Sequence, residues 1–252
     1  FTTVKDASFI GVSNFIRAVS DATFTHAFWY NCAFVVVSTL TINVGGLAVA
    51  LILTRAIRGT NAFRTVFFMP NLIGGIVLGY IWQILLNCAL SLLEKPLLQL
   101  DATAGFWGLV ILMCWQQIGY MMIIYVAGLQ SVPDTVIEAA EIDGASRWQT
   151  FWKVTFPMLM PSITICLFLT ITNSFKLFDQ NLALNNGQPY IFQADGSFIH
   201  STEMLALNIY NTFYLNANSR GVGQAKAVLF FVLVAAIALL QLRATRTKEV
   251  QQ

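Results

Sequence analysis

Residues 106–157 read FWGLVILMCWQQIGYMMIIYVAGLQSVPDTVIEAAEIDGASRWQTFWKVTFP. Their first half, Phe106–Leu129, holds no Asp, Glu, Lys, Arg or His, and it exceeds the ~20 apolar residues a helix needs to cross a bilayer. The second half, residues 131–157, is too long and too patterned for a simple connection. Ser131 and Asp134 form a capping-box variant with Pro133 in the first turn, predicting a short helix to about Ile142. Gly144 suits the left-handed conformation that ends a helix. Ser146 and Gln149 form a second capping box, starting another short helix through Lys153. The expected product is a helix–Gly–helix elbow. Ala139 and Ala140 give it a shallow surface that another backbone can approach, and Trp148, Phe151 and Trp152 are aromatics of the kind that anchor interfaces.

Four more stretches flank this one as spans: Phe28–Thr54, Thr65–Leu86, Val154–Phe175 and Ala225–Leu242. The 252 residues are 57% hydrophobic and only 10% charged, where a soluble domain needs about a quarter charged. The chain therefore reads as one all-α membrane domain over 1–252 with five transmembrane helices. Arg55, Arg58, Arg64, Arg147, Lys153, Arg243, Arg246 and Lys248 crowd short or terminal links on one side, which the positive-inside rule makes cytoplasmic. Residues 1–27 then lie outside the cell with no visible means of export. That implies an additional helix ahead of Phe1, giving six spans in the full protein. Residues 176–224 form a long outer loop. Within it Glu203–Tyr214, with Leu205, Ile209 and Phe213 on one face, predicts an interfacial helix, and Gln188–Ser201 reads as loop.

Several chemistries are disfavoured. Apart from Lys226 at the start of the fifth, the spans carry no Asp, Glu, Lys, Arg or His, whereas proton-driven carriers place such a residue at membrane depth. No Gly-Lys pair exists, hence no phosphate-cradling GxxxxGK[ST] loop, so energy for active transport must come from a partner on the cytoplasmic side. Cys32, Cys88, Cys114 and Cys166 sit in apolar stretches without CxxC spacing, and His26 and His200 stand alone, so neither metal nor disulfide chemistry is expected. A net charge of +2 without an aromatic-basic stripe argues against nucleic acid. Charge-free spans bearing Asn71, Trp115, Gln116, Gln117, Tyr120, Asn173 and Ser174 suit an uncharged polyhydroxylated solute, with Asn173 and Ser174 foremost. Each of these serves equally well as interhelical glue or an interfacial aromatic.

Glu138-Ala139-Ala140, three residues, Gly144, nine residues, Val154, then Phe156-Pro157 resembles the EAA loop of binding-protein-dependent ABC permeases, departing only by Phe156 where the family has Leu. The longer EAAEIDGASRWQTF is similar to the sugar-permease branch, as are FIGVSNF (9–15), FRTVFFMP (63–70), WQQIGYMMIIYVAGLQSVP (115–133) and FKLFD (175–179). The resemblance implies a type I ABC importer permease fold in a bacterial or archaeal cytoplasmic membrane. It implies that Glu138, Ala139, Ala140, Asp143, Gly144, Trp148, Phe151 and Pro157 engage an ABC ATPase dimer, which binds the ATP and Mg. This chain itself would hold no cofactor. A second homologous permease, an extracytoplasmic sugar-binding protein and membrane lipid complete the implied partners. A sodium-coupled or facilitative carrier also works without buried charge, but such folds show inverted repeats and broken helices, and neither is visible in the sequence. An intramembrane enzyme needs clustered His, Asp or Glu, and here these are dispersed.

Overall fold

Asp21 closes a short helix, α1 (Ser13–Ser20), and caps a long one, α2 (Ala22–Leu53), its carboxylate accepting the Thr23 amide at 2.9 Å. The structure, a computed structural model, describes residues 10–55, 59–193, 196, 198–215 and 217–246. Arg58 and Lys248 of the cytoplasmic set, and residues 1–9 of the outer segment, lie outside the described residues. At 32 residues α2 rises about 48 Å, so it crosses the hydrocarbon and projects beyond it.

The core forms around a second long helix, α5 (Ala102–Gln130), capped in the same way by Asp101, whose carboxylate accepts the Thr103 amide at 2.8 Å. Its Leu109, Leu112, Met113, Met121, Met122 and Tyr125 are buried. Small residues allow this close approach, as they do between helices in lipid. A Cβ on Gly46 of α2 would meet the Met121 Cβ at 3.1 Å. Tyr125 donates to Asn43 Oδ1 at 2.7 Å, and Asn43 Nδ2 donates to Thr170 Oγ1 at 3.2 Å. These bonds tie α5 and α2 to α9 (Met160–Phe175).

Two of the five expected spans are not continuous. The stretch read as Thr65–Leu86 divides into α3 (Thr60–Phe68), a 3-10 turn (Met69–Leu72) and α4 (Gly75–Leu92). Pro70 has no N–H to give, and Ile73 and Gly74 are extended, at ψ 132° and 139°. Hydropathy stays high across the break, so the sequence reads as one span. The stretch read as Val154–Phe175 is bent by 65° between residues 147–158 and 160–175. Pro157 again lacks an N–H, and the turn before it widens to a π-helix (Phe151–Thr155) whose Phe151 carbonyl accepts from Phe156. Among the described residues four helices are thus long and apolar enough to span unaided, α2, α4, α5 and α12 (Arg220–Arg246), and the bent pair, taken as one span, makes a fifth. The expectation that no broken helix is present is corrected on both counts.

Outside, α10 (Asp179–Leu184) packs on α4, where a Cβ on Gly79 would lie 2.6 Å from the Ala183 Cβ. The segment read as loop holds a small antiparallel hairpin, β1 (Tyr190–Phe192) with β2 (Phe198–His200), pairing Tyr190 with His200 and Phe192 with Phe198. α11 (Leu205–Tyr214) is not laid on the surface: Leu205, Leu207 and Asn208 are buried against α2 and α12. Its anchor is electrostatic. Lys226 on α12 is fully buried, and its Nζ reaches Asp21 Oδ2 at 2.6 Å, Asn208 Oδ1 at 2.8 Å and Thr212 Oγ1 at 2.8 Å. Every proton of the ammonium has a partner, so a buried cation is tolerated at the outer end of the bundle.

Candidate functional site

Two regions carry chemistry, one at each end of the bent fourth span. At the cytoplasmic end, α6 (Asp134–Ile142) leads to Gly144, which holds φ +78°, the left-handed conformation the sequence predicts. The amides of Gly144 and Ala145 reach back to the Glu141 and Ala140 carbonyls at 3.0 Å each, satisfying the end of α6. The Ser146–Gln149 capping box forms as read: the Ser146 amide donates to Gln149 Oε1 at 2.8 Å and the Gln149 amide to Ser146 Oγ at 3.4 Å. It opens α7 (Arg147–Thr150), which runs through the π turn into α8 (Phe156–Met158). The first capping box does not form. α5 extends to Gln130, so Ser131 caps its end instead, donating to the Gly128 carbonyl at 2.7 Å, and Pro133 precedes α6 without a side-chain cap.

This elbow leaves apolar surface uncovered. Ile142 is 86% exposed and Trp148 is 70% exposed. Glu138, Ala139, Asp143 and Gly144 are all exposed, with Ala140 partly so. Behind them Trp148, Trp152, Phe151 and Phe156 form a chain of ring contacts, the tightest being Trp152–Phe156 at 4.9 Å, and this joins the elbow to the partly buried Pro157 and the bent span. α7 is thus joined to the bent span by ring contacts.

At the other end a polar cavity of about 240 Å³ lies between α5, the end of α9 and α10, lined by Met113, Gln117, Asn173, Lys176, Leu177 and Gln180. Gln117 is 8% exposed and its Oε1 has no partner among the described residues, while its Nε2 donates to Asn71 Oδ1 at 3.5 Å. A buried acceptor left open in this way awaits a donor. The structure thus brings together Asn71, Gln117 and Asn173 of the sequence candidates. Ser174 faces the other way: it is fully buried and shares a hydrogen bond of 3.0 Å with Ser38 of α2. Trp115 packs edge-on to Trp82 of α4 at 5.6 Å, and Tyr120 lies against Phe68 of α3 at 6.3 Å, both away from the cavity. Lys176 and Gln180 were not among the candidates. Lys176 lies within the FKLFD turn and Gln180 follows it, and no local pattern indicates that this turn folds α10 back over the end of α9. A larger hollow, about 430 Å³, between α11 and α12 is lined by Phe178, Ile209, Tyr210 and Phe213 among others and offers few hydrogen-bonding groups. Among the described residues no three His, Cys, Asp or Glu gather to hold a metal ion.

An exposed elbow at one end of the bent span, and a hydrogen-bonding cavity lined by amides and the Lys176 side chain at the other, fit a membrane transport subunit. The chain belongs to the family of binding-protein-dependent transport system inner membrane components, whose model matches residues 28–246. It is 42% identical to the probable starch degradation products transport system permease protein AmyD of Thermoanaerobacterium thermosulfurigenes, over 98% of this chain and 84% of that protein. It is 31% identical to the multiple sugar-binding transport system permease protein MsmF of Streptococcus mutans (96% and 83%), and 28% identical to the trehalose/maltose transport system permease protein MalF of Thermococcus litoralis (97% and 82%). Its fold is that of a type I importer permease. It superposes on a bacterial ABC transporter involved in the import of the acidic polysaccharide alginate with a TM-score of 0.79, at 18% identity, covering 96% of this chain and 85% of that one.

Proposed function

We propose that this chain is a permease subunit that moves a sugar or oligosaccharide across a bacterial or archaeal cytoplasmic membrane. Its power stroke comes from ATP hydrolysis on a separate ATPase dimer, which holds the ATP and Mg. The observation that carries the coupling half is the elbow. Its apolar tip is uncovered, its turn is fixed by Gly144 at φ +78°, and its aromatic rings run into the bent span. Glu138 is the polar contact with the ATPase, Ala139 and Ala140 the close-packing face, and Trp148 the anchor. The AmyD, MsmF and MalF relatives, all named for sugars or starch products, support the substrate class.

In this mechanism a second permease places its own elbow on the other half of the ATPase dimer. Closure of the dimer on ATP draws the two elbows together, and the bends at residues 69–74 and 157–160 turn that motion into a change of access. An outer sugar-binding protein delivers substrate. The hairpin, with Phe192 78% exposed and Phe198 50% exposed, offers it a surface. In the cavity Gln117 Oε1 accepts a hydroxyl proton, Asn173 both donates and accepts, and the Lys176 ammonium donates to a sugar oxygen, so a polyol exchanges its water for protein hydrogen bonds. The carrier reading is weaker, because it gives the exposed elbow nothing to do. The test is uptake by the assembled transporter carrying Asn173→Ala or Gln117→Met. Sugar uptake is expected to fall several-fold while the permease still purifies with its ATPase. Unchanged uptake in both variants would remove the cavity from the path.

A further inference from the structure

Beside the cavity, and outside its lining, Gln116 is 5% exposed and makes two hydrogen bonds. Its Nε2 donates to the Ile73 carbonyl at 3.4 Å, and its Oε1 accepts from Gln180 Nε2 at 2.8 Å. The order of these bonds is dictated by chemistry. Ile73 sits in the break between α3 and α4, where the backbone is extended. A backbone carbonyl can only accept, so it takes the donor end of the Gln116 amide. That turns Gln116 Oε1 toward Gln180, and Gln180 must answer with its own donor end. The amide oxygen of Gln180 is then the atom left for the cavity. Gln117 presents its unpartnered Oε1 to the same space. Packing reinforces the arrangement, since a Cβ on Gly75, the first residue of α4, would lie 3.1 Å from the Gln180 Cδ. The start of α4 is therefore pressed onto the amide that Gln116 orients.

We propose that Gln116 is a positioning residue which, acting through Gln180, holds the Gln180 amide oxygen as an acceptor for a substrate hydroxyl in a cavity where Lys176 and Asn173 supply donors. This rests on the reading of that cavity as the sugar site. A neutral polyol can place a hydroxyl proton on each amide oxygen. A sugar whose hydroxyls are O-methylated cannot, and it leaves the buried Gln117 acceptor unpaired. The relay also joins the site to the α3–α4 break, so a solute that pulls on Gln180 pulls on the backbone that must bend.

The experiment measures direct binding of maltotriose, and of permethylated maltotriose, to the purified permease–ATPase complex. Loss of one oriented hydrogen bond predicts that Gln116→Met, which keeps the side-chain length, raises the maltotriose Kd about tenfold and narrows its preference over the methylated probe. Gln180→Met should do the same, and the double variant should be no worse than Gln180→Met alone, because Gln116 acts through Gln180. Gln116→Glu can donate to the Ile73 carbonyl only when its carboxyl is protonated, so it should bind maltotriose better than Gln116→Met at acidic pH and lose that advantage as pH rises through the carboxyl's titration. Additive losses in the double variant, or a Gln116→Glu no better than Gln116→Met at any pH, would overturn the relay. If Asn173→Ala and Gln117→Met weaken binding but Gln116→Met does not, the relay alone fails. If none of them does, the cavity reading fails first.

Discussion

Replacing Asp21 by Asn removes the carboxylate that contacts Lys226, and the cost can be set against that of removing the lysine. In Asp21→Asn the ammonium remains fully buried with the neutral acceptors Asn208 Oδ1 and Thr212 Oγ1 at 2.8 Å each and the Phe24 ring at 5.4 Å. A buried charge stripped of its partner costs about 3–5 kcal/mol. In Lys226→Met the surviving Asp21 side chain is 31% exposed and keeps the Thr23 amide and hydroxyl at 2.9 and 2.8 Å. Water and these donors hold its charge. The loss is then mainly that of the unpaired Asn208 Oδ1, since the Thr212 hydroxyl still donates to the Asn208 carbonyl at 2.8 Å, and amounts to about 1–3 kcal/mol. Thermal unfolding of the detergent-solubilised chain at neutral pH should therefore rank Asp21→Asn below Lys226→Met by about 2 kcal/mol, with the double variant close to Lys226→Met alone. The acid side gives a second reading. Burial raises the Asp21 carboxyl pKa, but the hydrogen bond and charge of Lys226, with the Thr23 donors, outweigh it and hold the group below its usual 3.8. A folded value below the unfolded one means that this stabilisation is complete above about pH 3.8 and fades as pH falls through the folded value. Lys226→Met should flatten that dependence. Equal costs for the two single variants, or a Lys226→Met worse than Asp21→Asn, would refute the asymmetry.

Three further outcomes rest on the packing and the elbow. Gly144→Pro cannot adopt φ +78°, and Glu138→Lys reverses the charge at the elbow's polar contact. Both should uncouple ATP hydrolysis from uptake, read as ATP consumed per sugar imported, while the melting temperature of the spans stays within a few degrees. Gly119→Ala would put a Cβ 1.7 Å from the Phe67 carbonyl oxygen, so α3 must move away from α5. A loss beyond about 3 kcal/mol is expected, visible as poor yield and early melting. Ser174→Ala, which breaks the contact with Ser38, should lower stability by about 1 kcal/mol and spare sugar binding, the reverse of Asn173→Ala.

What the sequence made legible was local or periodic. The elbow is written in residues whose partners lie three or four positions away, as with Ser146 and Gln149, and the left-handed turn at Gly144 needs nothing distant. The spans are legible because hydropathy is a sum. The same sum hides the break at Met69–Gly74, where the residues remain apolar while the backbone changes, and Pro70 is tolerated in spans too often to mark it alone. Adjacent helical residues face directions about 100° apart. Asn173 and Ser174 therefore look alike as polar residues near the end of one span, yet one meets the cavity and the other meets α2. Lys176 and Gln180 belong to the cavity only because α10 folds back, and that fold depends on the small Gly75 and Gly79 of α4, far away in the chain. Lys226, read as an edge residue, is buried because Asp21 lies opposite it, 205 positions earlier.

The central claim is that these spans are driven through the elbow by hydrolysis elsewhere. It is tested most directly by solute accumulation in sealed vesicles, with and without companion subunits. Sugar should be concentrated only when the ATPase, second permease, binding protein and ATP are all present, and dissipating every ion gradient should leave the rate unchanged. Accumulation by this polypeptide alone, powered by a sodium or proton gradient, would contradict it.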